Sequence, residues 1–184
     1  MRIQITNRIS LTMVLVLAAA AVASCAQVEA DVPEAKVTQK SVSFQGIPGA
    51  QAAGEVSITQ SFTLTADDLS WAQNLNAQVY AYEVEITAAS GVDDLSFIHH
   101  ARVTMANGSG AESTDPVEVI SYDRPDNFTP SPALDVKTTY PVDVTSAWAA
   151  KKVTITMNLI GVFPEQDWSV DVTLHMSGKI SYKF

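Results

Sequence analysis

Scarcity is the first property of this 184-residue chain. It has a single cysteine, Cys25, so no intrachain disulfide can form. Basic side chains are few, 11 against 20 acidic ones, for a net charge of −9. That balance argues against a nucleic-acid partner, because an acidic surface repels the phosphate backbone. Neither Gly-x-Ser-x-Gly nor a phosphate-cradling glycine loop is present, and Gly108-Ser109-Gly110 has the wrong spacing for the former. The longest apolar run, Ile9 to Val22, falls short of the ~20 residues that span a bilayer as a helix. With three histidines and no second cysteine, a zinc or copper site is not expected, nor is any other cofactor. The chain reads as a non-enzymatic protein.

What is present begins at the amino terminus. Arg2 and Arg8 precede the apolar run, residues 1–24 hold no acid, and the run ends in Val22-Ala23-Ser24-Cys25. A basic start, a short apolar stretch and small residues make an export signal. The last four residues resemble the lipobox of bacterial lipoproteins: a branched apolar residue, two small ones and a cysteine. The resemblance implies cleavage before Cys25 and acylation of its sulfur and freed amine, which would explain a lone thiol in an exported chain. It also implies a membrane partner reached through lipid on Cys25, in the bacterial cell envelope. In Gram-negative lipoproteins an aspartate after the cysteine resembles an inner-membrane retention signal, so Ala26 favours the outer membrane. The alternative is an ordinary secretory signal cut after Ala21-x-Ala23.

Residues 1–24 are thus expected to leave, taking Arg2 and Arg8 and leaving 9 basic against 20 acidic side chains, a net charge of −11. Residues 25–36, with Pro33 and three acids, read as the acylated cysteine and a flexible tether that lets an acidic body stand off the membrane. Residues 37–184 form one domain, large enough to bury roughly 70% of its unfolded surface.

Within that domain the dominant period is two. Val56, Ile58, Phe62 and Leu64 alternate with Ser and Thr. So do Tyr80, Tyr82, Val84 and Ile86 with Glu83 and Glu85, and Val153, Ile155, Met157 and Leu159 with Lys152, Thr154, Thr156 and Asn158. Leu95, Phe97, His99, Ala101, Val103 and Met105 share one parity, as do Leu134, Val136, Tyr140, Val142 and Val144. Weaker strands are expected near residues 37–46 and 117–122. From Trp168 to Phe184 alternation runs through Gly178 unbroken, predicting one long strand bent there to turn a corner between two sheets. A short helix is expected at 66–75. About eight half-buried strands indicate an all-β, antiparallel, immunoglobulin-like sandwich, with a barrel as the alternative.

Candidate chemistry is sparse. His99 lies on an apolar parity and reads as a core histidine with a hydrogen-bond partner; His100 and His175 read as solvated. Asp67-Asp68, Asp93-Asp94, Glu112, Asp115, Asp123 and Asp126 are most simply solvated turn acids, although loop acids meeting at one end of a sandwich could hold calcium. Trp71, Phe128 and Trp148 fall near turns and are the candidate ligand contacts, for instance by stacking on a sugar. The leading expectation is a lipid-anchored envelope protein whose sandwich binds another envelope protein or a glycan. A tethered carrier of an apolar ligand and an envelope hydrolase are the alternatives.

Overall fold

The computed structural model describes residues 27–65, 77–108, 114–148 and 152–183. Eight strands carry the structure: β1 Gln27–Phe44, β2 Val56–Thr65, β3 Ala77–Ser90, β4 Ile98–Asn107, β5 Thr114–Asp123, β6 Ala133–Asp143, β7 Lys152–Gly161 and β8 Trp168–Lys183. Two single-turn helices, α1 (Ala50–Ala53) and α2 (Thr145–Trp148), fill connections. The strands form two four-stranded sheets, β1-β8-β3-β6 and β2-β7-β4-β5, and every pairing is antiparallel.

The sandwich is therefore real, and it is not closed into a barrel. Its strand order is that of a jelly roll. In the immunoglobulin arrangement the first strand lies beside the second; here it lies beside the eighth. Alternation places apolar side chains between the sheets. Trp168, Val170, Val172, Leu174 and Met176 of β8 face a layer that includes Val153, Ile155, Met157 and Leu159 of β7, all buried. Each such side chain contributes about 1.5–3 kcal/mol on leaving water.

Four expectations need correcting. Residues 27–36 are not a tether; they are the first half of β1, with Val28, Ala30 and Val32 paired to Tyr182, Ile180 and Gly178 of β8. Pro33 is accommodated because β1 is an edge strand with a bulge between Val32 and Ala35. Next, β8 does not pass between sheets. It is one 16-residue strand, paired with β1 on one side and β3 on the other. Tyr140 does not face the core, since β6 slips between Lys137 and Val142 against β3, leaving Tyr140 79% exposed. Finally, a bulge between Ile98 and His100 changes the parity of β4, so Ile98 enters the core and His99 does not. The helix expected at 66–75 lies outside the described residues.

One glycine sets how closely β7 approaches the start of β4. A Cβ built on Gly161 would sit 1.9 Å from the Phe97 carbonyl oxygen, and backbone cannot rotate away as a side chain can. Gly161→Ala is expected to cost ~1–3 kcal/mol by overpacking, seen as a fall in Tm of roughly 3–10 °C by circular dichroism. An unchanged melting curve would contradict so tight an approach.

Candidate ligand cleft

The first strand of each sheet is an edge strand. Near the carboxyl end of β1 the two edges border a cleft of about 880 Å³, lined by Ser41, Ser43, Phe44, Gln45, Gly46, Ile47, Ile58, Thr59, Gln60, Ser90, Asp167, Trp168 and Ser169. A second bulge of β1, between Gln39 and Val42, shapes this wall. It puts Ser41 in the left-handed region (φ 54°), and Asp171 Oδ1 accepts the Ser41 N–H at 2.9 Å. The following connection is tied to the 164–167 turn. Gly46 N–H donates to Asp167 Oδ1 at 2.9 Å, and Ile47 N–H donates to the Pro164 carbonyl at 2.9 Å.

Under the cleft lies an aromatic cluster. Trp168 stacks on Phe44 at 4.2 Å between centroids and meets Phe97 edge-on at 4.9 Å; Phe163 lies parallel to it at 6.0 Å. Such packing gives a rigid floor. The rim is hydroxyl and amide, with Asp167 the only charged lining residue. Gln60 is a lining residue that strand parity alone does not single out. It is paired with the fully buried Met157, so it occupies an apolar-parity position with a polar side chain.

The titratable groups gather elsewhere, on the outer face of the first sheet. Lys36, His175, Glu83 and Lys137 are directly opposed across β1, β8, β3 and β6. His175 is not solvated, as expected from its parity, but 5% exposed. Its Nδ1 lies 3.0 Å from Glu34 Oε1 and 3.7 Å from Glu83 Oε2, and its Nε2 lies 3.8 Å from Glu85 Oε2 without a hydrogen bond. The Tyr82 ring meets the imidazole edge-on at 6.0 Å. Burial, then a hydrogen bond to Glu34, pushes the Tyr82 hydroxyl up to about 12. The same bond, and then that to His175, holds the Glu34 carboxyl below its usual range. His99 pairs with Glu55, and His100 with Asp123 at 2.6 Å. None of the three histidines lines the cleft. Among the described residues no three His, Cys, Asp or Glu side chains converge as metal ligands.

Of the candidate ligand contacts, Trp148 is corrected outright. It is 4% exposed, because α2 turns it into the core between the sheets. Phe128 is half-buried in a turn closed by its N–H on the Pro125 carbonyl at 3.0 Å, and it does not line the cleft. Trp71 lies outside the described residues, as do Cys25, Asp67, Asp68 and Glu112. Asp94 is a turn acid that acts locally. It accepts the Ser96 N–H at 2.7 Å, and hydrogen bonds from Ser96 lower its pKa.

No family model matches the chain, and no curated protein does. Solved structures align weakly. A decameric BFDV capsid protein shares 10% identity over 84% of this chain and 99% of its own, with a TM-score of 0.37. The structure of infectious bursal disease virus, Gx strain, shares 11% over 86% of this chain and 36% of its own, with a TM-score of 0.27. Scores this low carry no argument, so the jelly-roll assignment rests on strand order.

The Tyr82 shift has a definite sign. A folded-state pKa raised to about 12 from 10.0 means the native state holds this proton longer than the unfolded one. Its stabilisation is complete below about pH 10 and is lost as pH rises toward 12. Tyr82→Phe is therefore expected to flatten the decline of urea-unfolding stability over that alkaline window. An equally steep decline in the variant would contradict the assignment.

Proposed function

We propose that the chain is a lipid-anchored protein of the bacterial envelope, acylated on Cys25, whose jelly-roll sandwich binds a neutral glycan in the edge cleft. The observation carrying the ligand class is the lining. In a chain of net charge −9, the cleft presents Ser41, Ser43, Gln45, Thr59, Gln60 and Ser90 around a floor that includes Trp168, with one acid. Neutral donors and acceptors around a concave, partly apolar surface suit a hydroxyl-rich ligand better than an ionic one.

The anchor reading rests on Val22-Ala23-Ser24-Cys25 after a basic, then apolar, leader. Only Ala26 separates Cys25 from the start of β1 at Gln27. The body is then held close to the lipid surface by a paired strand instead of a loose tether. In a Gram-negative host Ala26 directs it to the outer membrane.

Both parts have separate tests. Growth with an alkynyl fatty acid should label the wild type and not Cys25→Ser; no label on the wild type, or equal label on both, rejects the anchor. Retention on immobilised host envelope polysaccharide should be strong for the wild type and at least ten-fold weaker for Ser43→Trp, which fills the cleft. Equal retention rejects the cleft.

A further inference from the structure

Four strands form the edges of the two sheets, and three of them carry devices that block further pairing. β1 has Pro33, Lys36, Lys40 and two bulges; β5 has Pro116, Glu118 and two register shifts; β6 has Asp135, Lys137, Pro141 and one slip. Charges, prolines and bulges are the means by which native edges avoid a new neighbour. β2 has none. Its sequence, Val-Ser-Ile-Thr-Gln-Ser-Phe-Thr-Leu-Thr, is uncharged, and its register with β7 runs unbroken from Val56 to Thr65. Its inward row is also under-covered: Val56, Ile58, Gln60 and Phe62 are only half-buried, and Leu64 alone is fully so. Among the described residues no strand pairs with its other side.

We propose that β2 is the contact of a two-fold symmetric dimer, pairing antiparallel with β2 of a second copy about Gln60. The register follows from geometry. Directly opposed residues project to the same face, so in a symmetric antiparallel pair one residue must oppose its own copy. Centring on Gln60 sets Ile58 against Phe62 of the second copy and Val56 against Leu64. Half-buried apolar groups thereby cover each other. Two Gln60 amides meet at the axis, where each can donate to the other. On the outer face Thr59 opposes Ser61, and Ser57 opposes Thr63. Centring on Ser61 would instead set Gln60 against Phe62.

This match is why the occupant is another copy. Apolar meets apolar, amide meets amide and hydroxyl meets hydroxyl. The contact is also free of charge in a chain whose net −9 repels its copies elsewhere. The inference does not depend on the glycan reading. If both hold, the axis brings the two clefts side by side, since Gln60 lines each.

The test uses the full chain purified in non-ionic detergent. Opposed Cα atoms at the axis lie ~4.5–5.5 Å apart, within disulfide range. Position 56 of one strand is eight residues out of register with its copy, ~27 Å away. Oxidation with copper phenanthroline should cross-link Gln60→Cys into a disulfide dimer at least ten-fold more than Val56→Cys or the wild type, the latter reporting on Cys25. Adding Thr59→Lys and Ser61→Lys, both outward-facing, should abolish the cross-link and halve the sedimentation mass while the β-type circular dichroism persists. Cross-linking at 60 no greater than at 56 overturns the proposal, and so does a dimer that survives the two lysines. The cysteine comparison stands even if the lysine variant does not fold.

Discussion

The structure depends on one constraint: two sheets can share a dry layer only if each strand keeps its apolar parity turned inward. β8 satisfies it over five alternate residues, Trp168 to Met176, and β7 over four, Val153 to Leu159. With this layer dry, each outer face can carry hydroxyls and charges at little cost. The opposed row Lys36, His175, Glu83 and Lys137 exists because β8 and β3 present their other parity there. The cleft has the same origin. It opens at the rim of the sandwich, beyond the aromatic cluster around Trp168, where the two sheets' edge strands stand apart.

Much of this could be read from residue order, and where it could not, bulges account for most of the loss. Parity identified the inward rows of β7 and β8 and carried β8 through Gly178 as one strand. Parity holds only while a strand adds no extra residue. One bulge beside His99 exchanged the roles of Ile98 and His99, and the slip in β6 turned Tyr140 outward. Neither Gln39 nor Gln60 looked like an inward residue, because each interrupts its apolar row with an amide; both pair with buried partners, Val172 and Met157. The first half of β1 was hidden differently. Val28, Ala30 and Val32 do alternate, but Glu29, Asp31 and Pro33 between them gave the segment the composition of a linker. That composition also suits an exposed edge strand.

The site was less legible than the fold for a related reason. A tryptophan near a turn is equally consistent with a stacking platform and a core plug, and only the placement of α2 shows Trp148 to be the latter. Two of the acids act locally: Asp94 accepts the Ser96 N–H, and Asp123, at the end of β5, pairs with His100. The polar lining of the cleft is drawn from β1, β2, the ends of β3 and β8, and the connections that hold Gln45 and Asp167. These segments are far apart in sequence, so no local motif could announce it.

The pairing of β1 with β8 joins the first described strand to the last, from Gln27 beside Lys183 to Phe44 beside Trp168. In a growing chain β1 therefore waits for its neighbour until β8 has left the ribosome. β3 need not wait, since β6 pairs with its other side. Such long-range pairing makes folding slow. Until β8 is in place, β1 has no partner in its sheet, while β3 already has β6. Docking of the sixteen-residue β8 between β1 and β3 then acts as the clasp that joins the two halves of the sheet.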